Sequence, residues 1–490
     1  MTASGEFTDT KGVLTGPPTG RGAANWAGFF DSVEEVDLPA ESVEGTLPAG
    51  LVGTLYRNGP GKRDFSQSFF DGDGMIRALR IQADGSVHCR SRFVETKKYR
   101  KERGSDRPRV RTPGTDLPGG FLRNILRTPG HEANTHIIEH HGQLLALEEG
   151  GHPYVIDRDT LATGGMLDFD GQLKSYQPYS AHPHTDPKSG EIFNFGVDFA
   201  SPKVGIRSYR ADRQGRVHAI DRFALPYGSF VHDYALTERF MIFHVPPLVA
   251  SVLRFALGLD SFFATLQWRD DLTARFIVAP RAGGPVREFD APSVLIGHYF
   301  GAHERGDELV IDCGQLGGWP VAAEDTASYR TSDWTSFGAA GAHRVRLDLR
   351  SGRVSSEPLS SLPAEFPRIH PDTETLDGRF GYAGCNVAPG EGGILRGVAK
   401  IDRHGGGEEI FDFGENKVSL EPVFVPDPGA SSSPADEDRG WVLCLVYDSR
   451  PRKSEVAILD ARCLADGPVA TIRLPYNAGA TFHGSFVAEG

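Results

Sequence analysis

Four of the 17 histidines lie in stretches of small and apolar residues, where an imidazole is costly to bury without a partner. They are His182 in YSAHPH, His232 in SFVHDYAL, His298 in LIGHYFGAH and His483 in TFHGSF, near the end of the sequence. One such histidine is most simply a hydrogen-bonded core residue. Four could bind a metal through their ring nitrogens, but only if the fold brings them together, because no two of them form a local metal motif.

Other features of the sequence exclude several classes of protein. It contains no G-x-S-x-G, no P-loop, no H-E-x-x-H and no paired cysteines. Its five scattered cysteines are typical of thiols in a reducing compartment. A formal net charge of -13 argues against a nucleic-acid-binding protein, which needs a basic face. With no apolar run of 18 residues and no signal-peptide pattern, we expect a cytoplasmic protein.

Short apolar runs separated by turn residues predict an all-β chain from Leu51 onward. A weak repeat runs through them, in which a strand ends at an aspartate, a polar turn follows and a second strand begins. Three of the five intervals between these aspartates are 54 to 58 residues and one is 136. The aspartates are Asp84, Asp157, Asp212, Asp348, Asp402 and Asp460.

Such intervals suit the blades of a β-propeller that carry loop insertions, with two blades in the longest interval and six or seven in all. The alternative is a set of β-hairpins in separate sandwiches. A propeller would bring equivalent positions of different blades together at its axis. It would also bury a C-terminal strand by pairing it with the first blade, which would place His483 inside the molecule.

The chain resembles the carotenoid oxygenases (carotenoid cleavage dioxygenases), most of all the cyanobacterial-type apocarotenoid oxygenases. The resemblance runs from about Val43 to the C-terminus. It is carried in order by GTLYRNGPG, FFDGDGM, LLALEEGGHPYVID, YSAHP, FVHDYALT, EFPRIHP, EPVFVPDPG, GWVLCLVYD, SEVAILDA and FHGSF. The family fold, a seven-bladed β-propeller with a helical cap over the axis, is therefore the expectation for this chain.

The resemblance implies one Fe(II) per chain, bound by His182, His232, His298 and His483, with O2 as co-substrate. His298 has the most divergent motif, because Gly301 and His303 replace the usual asparagine and aromatic residue. The resemblance also implies glutamates that accept the second ring N–H of the ligands and so fix their orientation. These are Glu149, Glu365 and Glu421.

A family member would cleave a C=C bond of an extended conjugated substrate in an apolar tunnel. Motif positions assign Phe70, Tyr99, Thr135, Glu148 and Phe230 to this tunnel. Apocarotenoid-cleaving relatives tend to have tryptophan, and stilbene-cleaving relatives lysine, where this chain has Glu148. The absence of the lysine favours an apocarotenoid substrate. The alternatives are a stilbene- or phenylpropanoid-cleaving enzyme and a propeller that binds a lipid or retinoid without turnover.

Two segments interrupt the β pattern and predict helices above the propeller. Residues 247–266 carry a wide apolar arc, and residues 119–127 place apolar side chains beside Arg123 and Arg127. We therefore expect a flexible leader at 1–24, one oxygenase domain at 25–490, and cap insertions at about 115–130 and 245–270. Both segments predict peripheral contact with the inner face of a membrane, from which a lipophilic substrate would enter.

Overall fold

The computed structural model describes residues 28–199, 203–319, 340–405, 407–431 and 433–489, and these residues are mostly β-strand. Three α-helices occur in the described ranges, none longer than six residues: α1 (Lys97–Glu102), α2 (Phe121–Asn124) and α3 (Val252–Ala256). None of the described helices is long and apolar enough to cross a bilayer. The expected leader at 1–24 lies outside the described residues.

The first four blades are antiparallel sheets that follow one another along the chain, with strands numbered in chain order. The first contains β31 (Gly484–Ala488), β3 (Gly53–Lys62), β4 (Asp73–Ile81), β5 (Val87–Phe93) and β1 (Val36–Pro39). The second contains β6 (His136–His140), β7 (Gln143–Leu147), β8 (Tyr154–Ile156) and β9 (Thr163–Met166). The third contains β10 (His184–Thr185), β11 (Ile192–Asp198), β12 (Gly205–Ala211) and β13 (Val217–Ala224). The fourth contains β14 (Ala235–Leu236), β15 (Phe240–Val245), β18 (Arg275–Pro280) and β19 (Arg287–Asp290).

The fifth and sixth blades share one long strand, and a strand from the N-terminal segment completes the seventh. The fifth contains β20 (Leu295–Arg305), β21 (Glu308–Leu316), β22 (Gly341–Asp348) and the start of β23 (Val354–Ile369). The sixth contains the end of β23, β24 (Phe380–Cys385), β25 (Gly397–Asp402) and β26 (Glu408–Asp412). The seventh contains β27 (Lys417–Pro426), β28 (Gly440–Asp448), β29 (Lys453–Asp460), β30 (Pro468–Arg473) and β2 (Ser42–Gly45). The predicted seven-bladed propeller is confirmed.

The repeated aspartates lie at one equivalent place, the turn between the third and fourth strands of a blade. Asp157 accepts hydrogen bonds from the backbone N–H groups of Asp159 and Thr160, and Asp402 does so from those of His404 and Gly405. Such bonds close a tight turn with a side chain instead of a backbone carbonyl. In the fourth blade the turn from β18 to β19 has no aspartate, which explains the single interval of 136 residues.

Apolar clusters fill the spaces between neighbouring blades and form the core. One cluster joins the first and seventh blades through residues such as Leu55, Leu79 and Ile458, and comparable clusters join the others in turn. Because both faces of most blades are covered, their strands are apolar on both faces, as in β28. β2, near the N-terminus, pairs into the seventh blade and the C-terminal β31 pairs into the first, so strands from both ends of the chain close the ring.

The prediction of helices over 119–127 and 247–266 was wrong for most of these residues. The second segment forms a two-stranded ribbon, β16 (Leu248–Val249) with β17 (Gln267–Trp268), around α3 and a 3-10 turn at Phe263–Thr265. Gly258, with φ of 70°, ends α3 in the left-handed conformation that stops a helix. In the first segment only α2 is helical. Further 3-10 turns within the described residues are Pro371–Thr373, Pro434–Asp436 and Leu464–Asp466.

Candidate metal centre

The four predicted ligands lie in or just before the innermost strands of four blades. His182 lies two residues before β10, His232 three residues before β14, His298 in β20, and His483 directly before β31. These inner strands contact one another around the axis, for example β14 with β20 and β27 with β31. Positions far apart in the sequence therefore meet, as a propeller requires.

The four imidazoles converge on one point. Each offers one ring nitrogen, and the four nitrogens lie within 4.8 Å of one another. His182 and His483 are buried, and His232 and His298 are partly buried. His298 belongs to the group despite its divergent motif, and the Nε2 atoms of His232 and His298 are 3.1 Å apart.

Carboxylates contact the other ring nitrogen of three of these histidines. Glu365 lies 2.8 Å from Nδ1 of His298, and Glu421 lies 2.7 Å from Nδ1 of His483. Glu149 lies 3.1 Å from Nδ1 of His232. The carboxylates bonded to His298 and His483 hold a proton on Nδ1 of these two rings, which leaves the Nε2 lone pair of each ring directed at the common point.

His182 differs, because its Nε2 is buried without a hydrogen-bond partner in the described residues. Glu149 is 3.7 Å from this atom, too far for a hydrogen bond. An orphaned imidazole nitrogen at this depth is unfavourable unless a metal binds it. The residues present therefore fit a metal ion, and an all-imidazole set suits iron(II) among other transition metals.

Electrostatics keep at least two of the ligands neutral, the state in which an imidazole binds a metal. Burial, followed by repulsion from the neighbouring histidines, lowers the pKa of His182 and that of His483 well below the ordinary value. For His298 burial acts in the same direction, but Glu365 outweighs it and raises the pKa. A bound cation would compete for the same nitrogen, so metal binding and protonation exclude each other.

An apolar cavity of about 270 Å³ reaches the metal centre, and His232, His298 and His483 lie in its wall. Of the predicted tunnel residues, Phe70, Thr135, Glu148 and Phe230 line it. Tyr99 is not part of this wall; its ring stacks on Phe93 with centroids 5.1 Å apart. Nine phenylalanine and tryptophan side chains contribute to the lining, among them Phe69, Phe263, Trp319, Phe366 and Phe482.

Reasoning from sequence missed a fifth histidine beside the centre. The ring of His136, at the start of β6, lies 5.3 Å from that of His483. Its Nδ1 bonds to the backbone carbonyl of Ala181 at 2.8 Å, and burial lowers its pKa to about 4. The alternation of NTHIIEH, with an inner strand starting at His136, was the signal that could have placed it at the axis.

Comparison with known proteins agrees with this fold and shows the family. The family model described as retinal pigment epithelial membrane protein matches residues 29–488. The apocarotenoid-15,15'-oxygenase of Synechocystis sp. is 31% identical over 97% of this chain and 99% of its own. The isoeugenol monooxygenase of Pseudomonas nitroreducens is 32% identical over 92% of this chain and 95% of its own. The crystal structure of cobalt-substituted Synechocystis apocarotenoid oxygenase superposes with a TM-score of 0.90 at 30% identity, covering 96% of this chain and all of that one. The chain belongs to the carotenoid oxygenase family.

Proposed function

We propose that the protein is a non-haem iron oxygenase that uses O2 to cleave a C=C bond of an apocarotenoid. The observation that carries the proposal is the convergence of His182, His232, His298 and His483 at the wall of an apolar cavity. The Synechocystis relative named for this activity aligns along nearly the whole chain.

The residues divide the work between binding and positioning. The four imidazoles would hold iron(II), which supplies the redox chemistry that activates O2. Glu149, Glu365 and Glu421 would fix the rings that they contact, since such partners raise metal affinity by about 10- to 100-fold. The aromatic cavity would exclude water and hold a conjugated chain beside the metal.

A phenylpropanoid or stilbene substrate is the second candidate. The isoeugenol monooxygenase relative is as similar to the chain as the apocarotenoid oxygenase is. The wall residue Glu148 is polar, which a purely hydrocarbon substrate does not require.

Purified protein tests these proposals against a propeller that binds a lipid without turnover. Iron content is measured after reconstitution, O2 uptake is followed with a panel of apocarotenals and stilbenes, and the products are identified by mass spectrometry. We expect about one iron per chain and paired carbonyl products. The His298→Ala variant should lose both the bound iron and the carbonyl products. The control is Glu304→Gln, at a carboxylate that pairs with Arg239 at a distance from the ligands, and it should keep the iron and the products. Tight ligand binding without O2 uptake would refute the enzymatic proposal.

We propose further that residues 25–490 form one domain, with 115–130 and 245–270 as its cap. Arg111, which is 1% exposed, supports this assignment because it fastens the two segments together. Its guanidinium donates to the backbone carbonyls of Asn124 and Phe255 and to that of Asp260. The backbone N–H of Leu126 also donates to the carbonyl of Ala256 at 2.7 Å.

The same two segments support peripheral contact with a membrane. They present apolar side chains to solvent, with Leu122 74%, Leu126 80% and Leu253 70% exposed. Phe262 and Phe263 pack inward instead, and Phe263 lines the cavity. Because the two segments are hydrogen-bonded to each other and adjoin the cavity, their exposed apolar side chains are suited to contact with a lipid surface from which a lipophilic substrate could enter.

A further inference from the structure

Besides Glu148, five acidic residues line the substrate cavity, and each of them contacts another polar group of the protein. Glu149 and Glu365 contact metal-centre histidines. Asp71 accepts from the hydroxyls of two threonines and one backbone N–H. Glu391 accepts from two backbone N–H groups and pairs with an arginine, and Glu132 accepts from Lys98 and one backbone N–H.

Glu148 uses its two oxygens unequally. Its Oε2 accepts from the backbone N–H groups of Glu132 at 2.6 Å and Ala133 at 3.0 Å, and His131 Nδ1 lies 3.2 Å from it. Within the described residues no hydrogen bond reaches Oε1. The carboxylate is thus held by one oxygen, and the other remains as an acceptor in a wall that carries many aromatic and aliphatic side chains.

The surroundings keep this carboxylate ionised. Burial alone would raise the pKa of Glu148, but His131 and the two backbone N–H groups outweigh it and lower the pKa. The neighbouring Glu132 behaves in the opposite way, because burial and then Asp71 raise its pKa well above the ordinary value. An anionic acceptor in an apolar cavity repels carbonyl and carboxylate oxygens and strongly favours a hydrogen-bond donor.

Resting on the proposed function, we propose that Glu148 is a specificity-determining residue whose Oε1 accepts a hydrogen bond from a hydroxyl on the substrate. The cavity therefore selects conjugated substrates with a hydroxylated end, whether a phenol or a ring alcohol, over analogues without the hydroxyl. Such a site discriminates because the analogue leaves a buried charged acceptor unpaired.

The test uses matched substrate pairs that differ by one hydroxyl. These are 4-hydroxystilbene with stilbene, and 3-hydroxy-apo-8'-carotenal with apo-8'-carotenal. For the wild-type enzyme we expect kcat/KM to favour the hydroxylated member of at least one pair by about tenfold or more. In Glu148→Gln the single amide oxygen should accept from the Glu132 and Ala133 N–H groups and leave NH2 toward the cavity. That preference should then disappear or reverse.

A merely structural role for Glu148 predicts that the variant loses activity equally on both members of a pair. Glu391→Gln, at a cavity carboxylate already engaged by backbone N–H groups and Arg396, is the matched control and should keep the wild-type ratio. Binding of each pair to the metal-free protein, followed by tryptophan fluorescence, separates this inference from the proposed function because it needs no turnover. If the wild type binds or cleaves both members of each pair equally, or Glu148→Gln keeps the ratio, the inference is overturned.

Discussion

Glu365 and Glu421 have the same relation to a metal-centre histidine but very different further partners, so replacing each by glutamine should have different consequences. Glu365 is partly exposed, and its side-chain partner is Nδ1 of His298. Glu421 is 3% exposed and also pairs with Arg57 and Arg368. Glutamine keeps an oxygen that can accept from Nδ1 but loses the charge in both cases.

The expected magnitudes follow from these contacts. Loss of the carboxylate beside a ligand should weaken iron binding by about 10- to 100-fold in both variants, or about 1.4–2.7 kcal/mol. Glu421→Gln also leaves two arginines without full compensation. Removing one partner of a buried ion pair costs about 3–5 kcal/mol of stability. Glu365→Gln should therefore fold like the wild type, whereas Glu421→Gln should be markedly less stable even without iron.

Asp312→Asn provides the control that separates the two effects. Asp312 is fully buried and pairs with Arg344 and Arg403, with all three nitrogen–oxygen distances at 2.7 Å, but it contacts no metal-centre histidine. Iron affinity is measured by competition with a chromogenic chelator, and stability by the thermal midpoint of the metal-free proteins. We expect Asp312→Asn to lose stability and keep its iron affinity. Unchanged iron affinity in both glutamine variants would refute the positioning role of the carboxylates.

Three further predictions concern other parts of the molecule. Truncation of residues 484–490 keeps His483 but removes the strand that fixes it, so iron binding and the thermal midpoint should both fall; His483→Ala should lose iron alone. His244 is buried and its pKa is lowered to about 4, so between about pH 6.5 and 4 the unfolded chain binds a proton that the folded chain does not. Stability should then fall as the pH falls, by up to about 1.4 kcal/mol per unit, and urea denaturation of His244→Gln should give a shallower dependence. Leu122→Ser with Leu126→Ser should reduce flotation with liposomes while iron content stays the same, whereas Leu376→Ser, at an exposed leucine elsewhere, should not; a wild type that never floats would contradict the membrane contact.

The turns of the fold carry a chemical signature that favoured a propeller but left separate sandwiches open, and the number of seven blades came from the family resemblance. The aspartate that closes the turn between the third and fourth strands accepts from backbone N–H groups two or three residues later. The aspartate and the turn residues are therefore neighbours in the sequence, where the pattern can be recognised. The four ligand histidines were recognisable for a related reason, since each lies in a small or apolar context where an imidazole needs a partner. Convergence itself could not be derived from the residues, because it depends on how blades pack around the axis.

Contacts that depend on tertiary structure were beyond the sequence. Residues 247–266 have a helical apolar pattern, yet Leu248 pairs with Trp268 in a ribbon, and Gly258 stops the helix after α3. Periodicity shows only which side chains are apolar. It does not show that pairing with a residue distant in the sequence is more stable than another turn of helix. The unequal use of the two Glu148 oxygens is likewise set by the loop at 131–133, which no pattern around Glu148 reveals.

The position of His298 explains why its surrounding motif could diverge while the ligand stayed in place. The pairing of β20 with β21 shifts register on either side of Tyr299, so this part of the strand is irregular whatever the side chains are. A Cβ added at Gly297 would lie 2.3 Å from Oε1 of Glu365, so this glycine is what allows the carboxylate to reach the His298 ring. The imidazole is then fixed by the bulged strand, by Gly297 and by Glu365. Gly301 lies three residues after His298 and is not one of the groups that fix the imidazole. A change at that position therefore leaves the orientation of the His298 ring unchanged.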